Sequence, residues 1–437
     1  MASPKSDGRS LDGTWNKIYS AYQMPATSVL YDPLDPGTAA DPYPVYTRLR
    51  DEAPVCRVEA DDVWAVSRYD DVTAVLRDPG TFSSAAMRDF MTGGAARRHR
   101  ARNPWADQAS MMFGNSRVVL AVDPPDHTVL RRLLSRSFTP RAIEARRPMV
   151  ERICDGLVDD LLASAADGPV DFVPTVSWPL PVLVIAEMLG VPPERLEDFK
   201  RWSDDIVDLV SGVGESVMHP TALAELVVYM VELLGDRRAR PPGDDLVGLL
   251  LQSEGDGGDT LTPIEIVSFC MLLLVAGNET TTSLLGNALA ALLAHPDQFE
   301  RLRAEPELVR SCLEESLRYD SPFQGLYRTT TRPTTIAGVD VPEGAVLLVL
   351  FAAANRDERH YSDPDRFDVA RNPVDHVGFG AGIHLCLGAA LARLEAEVVV
   401  QALLERTERI EAAGPVVRMP SHILRSVTSL PITVVPR

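Results

Sequence analysis

The first 40 or so residues show no apolar period: the stretch is polar and rich in Pro, Gly and Asp, and predicts an irregular lead-in. Pro54 to Tyr69 (PVCRVEADDVWAVSRY) carries two short apolar runs separated by Ala-Asp-Asp, the pattern of a hairpin. From Asp71 to about residue 320 the apolar positions are mainly helical in spacing. Short strand-like runs return around Thr334 to Phe351 and in the tail from Arg425. The sum predicts a mainly α fold with small β-sheets (α+β), with no internal repeat.

Two helices stand out. Thr262-Pro263-Ile264-Glu265 is a helix start, with a capping threonine, a proline in the first turn and a glutamate placed to close a capping box. The pattern then runs to His295, before Pro296, for about 33 residues or roughly 50 Å. Its apolar centre is long enough to cross a bilayer, but Glu265, Asn278, Glu279 and a cluster of threonines interrupt it. A buried helix crossing the whole molecule is the expected arrangement. The second helix is predicted from Gly388 through Glu411 (GAALARLEAEVVVQALLERTERIE).

Composition narrows the classes of function. A chain of 437 residues, 45% hydrophobic, can bury a large core, and its length permits but does not require two or three domains. The formal charge of -19 argues against general binding to nucleic acid or anionic membrane, since both need broad basic surfaces. Cys56, Cys154, Cys270, Cys312 and Cys386 form an odd, scattered set that fits a reducing compartment. The N-terminus has no apolar core of the kind a signal peptide or anchor needs, so a soluble cytoplasmic protein is expected.

The most informative run is Phe379-Gly380-Ala381-Gly382-Ile383-His384-Leu385-Cys386-Leu387-Gly388. A cysteine taken at random is a small buried hydrophobe. Here Gly380, Gly382 and Gly388 open the backbone as it must open to approach a flat macrocycle. A helix begins immediately afterwards, and amide dipoles at its N-terminus lower a thiol pKa and favour an anionic ligand. The run resembles the haem-binding signature of the haem-thiolate monooxygenases, the cytochrome P450 superfamily, at Phe379, Gly380, Gly382, His384, Cys386 and Gly388. The resemblance covers nearly the whole chain from Asp41 and places it with the soluble bacterial type.

That resemblance implies a single domain over residues 41–437, a triangular prism with haem b between the long central helix and the cysteine loop. Cys386 would be the axial thiolate, with Phe379 and Gly380 against the cofactor. Ala276-Gly277-Asn278-Glu279-Thr280-Thr281 resembles the family's oxygen-binding groove, which implies a distorted helix in which Glu279 would relay protons from solvent and Thr280 would stabilise the hydroperoxo intermediate before O–O cleavage. Without the resemblance, these threonines would bond back to the carbonyl one turn earlier and Glu279 would be an ordinary paired carboxylate. His127 and Arg131, four residues apart, together with Arg328 and His384, would meet the haem propionates. Glu315, Arg318 and Arg366 resemble the buried Glu-Arg-Arg triad and are assigned to structure.

Arg131, Arg132, Arg136, Arg141, Arg146 and Arg147 concentrate positive charge in an acidic chain. As an isolated observation this is a solvated helix face; in the family it would steer an acidic ferredoxin, carrying electrons from NAD(P)H by way of a ferredoxin reductase. Substrate contacts are expected from 83–118, 206–218, 272–276 and 322–327. The first of these holds Met87, Phe90, Met91, Met111, Met112 and Phe113, residues that are core in most proteins but here suggest an adaptable apolar lining. Three readings follow: an O2-dependent monooxygenase acting as a monomer on a small apolar or aromatic substrate, a peroxygenase, and a catalytically silent haem-fold recruitment module. A peroxygenase would lack the acid-threonine pair and a silent module the cysteine or the groove; Glu279, Thr280 and Cys386 are all present.

Overall fold

The computed structural model describes residues 31–58, 63–91, 116–211, 222–240, 243, 245–253 and 259–437. Most of two expected substrate segments, 83–118 and 206–218, lies outside these residues, as does the lead-in before residue 31. Of the apolar residues named in the first segment, Met87 is described as 1% exposed, a core residue and not a lining one. Residues 36–40, read from sequence as irregular, form a short helix capped by the Asp35 carboxylate on Thr38 N–H. Tyr31 is buried, with its ring edge-on to Tyr46.

Helices dominate, and the central one spans Pro263–Ala294. Its capping box is complete: the Glu265 amide donates to Thr262 Oγ1, and the Thr262 amide donates to Glu265 Oε2 at 2.9 Å. It is apolar and long enough to cross a membrane, yet most of its length is buried by neighbouring helices. Two of its glycines admit close neighbours. A Cβ at Gly277 would lie 3.0 Å from Ile185 Cδ1, and one at Gly286 would lie 3.1 Å from Val427 Cβ. The helices Pro179–Leu189, Val309–Tyr319 and Ala389–Arg406 pack against it.

The hairpin forms as expected, Val55–Val58 pairing antiparallel with Val63–Val66. It joins a five-stranded sheet in which Val63–Val66 runs parallel to Val346–Val349, followed by Leu326–Thr330 and Phe82–Ser83. This sheet matters because it delivers Arg328 and the Ser83-Ser84 corner to one place.

The last helix is shorter than its pattern predicts. It stops at Arg406, and Thr407–Ala412 is a strand paired with Pro431–Pro436. The Thr407 hydroxyl turns back to Leu403 O, and Arg303 donates to Thr407 O at 2.9 Å. Ile410 opposite Val434 is buried, so pairing at distant positions overrides a helical local pattern.

The buried triad also differs in one member. Glu315 and Arg318 are fully buried, with Arg318 Nε 2.7 Å and Nη2 2.9 Å from the carboxylate. The second arginine on Glu315 is Arg371, at 3.1 Å, and not Arg366. Arg366 is 62% exposed and contributes its backbone carbonyl to both Arg318 and Arg371. Arg318 also reaches Asn355 O and Pro364 O, so one buried guanidinium ties the helix Val309–Tyr319 to the chain leading into the cysteine loop.

Candidate functional site

The cysteine loop is shaped by glycines. Gly380 and Gly382 have φ of 72° and 68°, the left-handed region that favours glycine. Any Cβ at Gly382 would strike Leu76 O at 2.4 Å. The Cys386 amide donates to Phe379 O at 2.9 Å, and the helix Ala389–Arg406 starts three residues later. Cys386 is exposed, whereas the other four cysteines are buried. Burial of its thiol by the surrounding chain pushes its pKa up, against the Gly388 amide, Arg131, Arg393 and the Ala389 amide. The helix start expected to depress this thiol is therefore outweighed by desolvation. A metal cation reverses that balance, because a coordinating thiol is deprotonated outright.

His127 and Arg131 lie on the helix Asp126–Ser135, Arg328 on the strand Leu326–Thr330, and His384 in the cysteine loop. The fold brings them together. The His127 and His384 rings are 4.3 Å apart, and His384 Nε2 is 2.8 Å from Ser84 Oγ. Burial, then Arg328, His127 and Arg131 in turn, pushes His384 down to about 3. Burial also lowers Arg328 to about 10, and burial followed by Arg131 lowers His127. The carboxylate opposing these shifts at Arg328 and His127 is Asp123, held by Ser83 Oγ and the Ser84 amide. Buried His127 Nε2 has no hydrogen-bond partner among the described residues. Clustered cations and an orphaned donor call for an anionic ligand, and the two propionates of haem fit them.

On the central helix, Glu279 is buried and Thr280 half-buried, with the Thr280 hydroxyl donating to Ala276 O at 2.7 Å. This is the back-bond of an ordinary helical threonine, and the helix is α-helical through this region without the distortion the resemblance implied. What distinguishes the segment is exposure. Leu272, Val275, Gly277 and Thr280 are half-buried and Ala276 is exposed, in a helix otherwise largely buried. Leu272, Val275, Ala276 and Thr280 recur at spacings of three and four and so share one accessible face. Phe323, Leu326 and Tyr327, half-buried in the 322–327 segment, offer further apolar surface.

Sequence reasoning missed a group beneath the loop. Glu314 accepts from Arg393 Nε at 2.5 Å and Nη2 at 2.8 Å, and lies 2.9 Å from His376 Nε2. The Arg393 guanidinium stands 4.5 Å from the Phe379 ring centroid. A signal was present: Arg393 falls in the second turn of the helix that follows Cys386, and Glu314 precedes Glu315.

The basic run is divided by the fold. Arg131 is half-buried beside the cysteine loop, Arg132 pairs with Asp259 at 3.1 Å, and Arg147 pairs with Glu144 and Glu397. Arg146 is half-buried, while Arg136 and Arg141 are exposed.

An exposed cysteine in a glycine-shaped loop, the clustered His127, Arg131, Arg328 and His384, and an accessible face on the central helix are the parts that a haem-thiolate protein needs. The family model described as Cytochrome P450 matches residues 218–412. Cytochrome P450 monooxygenase PikC of Streptomyces venezuelae is 40% identical over 90% of this chain and 91% of its own length. Vitamin D(3) 25-hydroxylase of Pseudonocardia autotrophica is 39% identical over 91% of this chain and 94% of its own. The crystal structure of CYP109E1 from Bacillus megaterium in complex with testosterone superposes with a TM-score of 0.77 at 35% identity, covering 90% of this chain and 99% of that one. The chain belongs to the cytochrome P450 family, has its fold and is a monooxygenase of the bacterial type.

Proposed function

We propose that Cys386 ligates the iron of haem b, that His127, Arg131, Arg328 and His384 hold its propionates, and that the enzyme hydroxylates an apolar substrate of steroid or secosteroid size. The observation that carries this reading is that Cys386 is exposed in a loop whose His384 lies with His127, Arg131 and Arg328, while the buried central helix leaves the face Leu272-Val275-Ala276-Thr280 accessible. Steroid size is supported by the vitamin D(3) hydroxylase and testosterone-bound relatives, and by the apolar character of Leu272, Val275, Phe323 and Leu326.

Bound there, haem supplies dioxygen activation, and a thiolate ligand favours O–O cleavage. The protein supplies the rest. Phe379 and Gly380 shape the face towards the cofactor, and the cation cluster neutralises the propionates. Glu279 would accept protons from solvent, and Thr280, whose hydroxyl donates to Ala276 O, would hold one at its Oγ1, while apolar walls limit water. Electrons would come from NAD(P)H through a ferredoxin reductase and a ferredoxin, steered by the exposed Arg136 and Arg141. Five unpaired cysteines suit the cytoplasm.

Titrating the ferric protein with a steroid, a secosteroid, a macrolide and small aromatic acids tests the substrate class. A saturable low-to-high-spin Soret shift is expected with the steroid or secosteroid. A shift confined to the aromatic acids, or none with a thiolate-type ferrous–CO spectrum intact, removes the steroid-size assignment.

Thr280→Ala is expected to leave NAD(P)H consumption near wild type while product per electron pair falls, by up to about 10²-fold, and hydrogen peroxide rises. Unchanged coupling, measured as product against peroxide with the substrate found above, removes Thr280 from this role.

A further inference from the structure

Glu314, His376 and Arg393 make a compact charged group directly beneath the cysteine loop. The Gly378 amide donates to His376 Nδ1 at 3.0 Å, so the ring hydrogen lies on Nε2, which donates to Glu314 at 2.9 Å. His376 is thus a neutral strut with both nitrogens engaged. Burial alone would raise the Glu314 carboxyl, but hydrogen bonds from Arg393 and His376 outweigh it and hold the group at about 2. It is an anion under all working conditions, paired with a permanent cation.

The cation has a route to the loop. The Arg393 guanidinium packs 4.5 Å from the Phe379 ring centroid, and Phe379 O receives the Cys386 amide. Glu314 grips Arg393 with two hydrogen bonds, which fixes where that charge sits.

We propose that Arg393 and Glu314 form a fixed charge pair that sets the one-electron potential of the haem held at Cys386, Arg393 raising it and Glu314 lowering it. The inference rests on the assignment of Cys386 as iron ligand. Reduction takes one electron from a donor and converts Fe(III) to Fe(II) with the thiolate retained. The iron–sulfur unit gains negative charge, so a nearby cation favours the reduced form and a nearby anion the oxidised form. Arg393 is a positioning residue here, since it acts through Phe379 and through space.

The test is a spectroelectrochemical titration of the haem-loaded enzyme and three variants, with the ferrous–CO spectrum of each recorded. Arg393→Gln is expected to shift the reduction equilibrium roughly tenfold towards Fe(III), about 59 mV for one electron. Glu314→Gln, which keeps the acceptor oxygen but removes the charge, is expected to shift it the opposite way. Arg393→Lys should stay close to wild type. Opposite signs are the signature of charge, because loss of packing alone would move both variants the same way. Shifts of one sign, or none, in variants with intact thiolate-type spectra overturn the proposal. If Arg393→Gln fails to fold, Glu314→Gln decides alone: a higher potential supports the pair, and no rise overturns it. A wild-type protein without a thiolate-type spectrum would instead overturn the ligand assignment beneath it.

Discussion

Replacing Cys386 with alanine is expected to eliminate the thiolate-type ferrous–CO spectrum and, with it, monooxygenase turnover. The loop should survive the change. Its shape depends on Gly380 and Gly382 in the left-handed region, on the Cys386 amide to Phe379 O and on the Glu314–Arg393 grip, and none of these involves the sulfur. The cations Arg131 and Arg328 also remain, with His127 and His384 beside them, so haem should still bind through its propionates with a different axial ligand or none. Far-UV circular dichroism and the CO difference spectrum separate the outcomes. A folded alanine variant that keeps the thiolate-type band would remove Cys386 from the iron.

Glu395→Gln is expected to stabilise the protein, and increasingly so as pH rises. Glu395 lies inside the helix Ala389–Arg406 at 1% exposure, its Oε2 has no hydrogen-bond partner among the described residues, and burial pushes its carboxyl up to about 8 from an ordinary 4.5. The folded state therefore holds a proton that the unfolded chain releases. This contribution is fully present below pH 4.5 and is lost as pH climbs towards 8, at about 1.4 kcal/mol per pH unit, on the order of 3–5 kcal/mol in all. Glutamine stays neutral throughout and escapes the loss. Denaturant unfolding at pH 5 and pH 8 should give nearly equal stabilities at the lower pH and a variant more stable by several kcal/mol at the higher. A difference independent of pH would mean that Glu395 is not the titrating group.

The helical and strand framework was legible wherever local chemistry is decisive. Thr262, Pro263 and Glu265 specify a helix start through contacts within one turn, and the structure shows that capping box. The apolar runs on either side of Ala-Asp-Asp specify a hairpin in the same way. The glycines of the cysteine loop were equally readable, because Gly380 and Gly382 take up a backbone conformation that few other residues adopt.

What stayed hidden depends on partners far away in the chain. Thr407–Glu411 continues a helical pattern, and its strand exists because Pro431–Pro436 lies beside it. Arg366 and Arg371 are equally plausible partners for Glu315 in one dimension; the path of the intervening chain turns one side chain inward and the other to solvent. Dipoles at a helix start favour a low thiol pKa at Cys386, yet desolvation, a sum over all neighbours, decides its direction.

The sequence by itself determined the class of chemistry, through short-range motifs such as the cysteine loop and the Glu279-Thr280 pair, whose residues are held together by a few covalent steps. Only the tertiary structure decided which charges meet. It set His127 against His384 with Arg131 and Arg328 alongside, placed Arg393 over Phe379 in the grip of Glu314, and buried Glu395 in the core. Charge and burial act through space, and space is what the order of residues leaves open until the chain has folded.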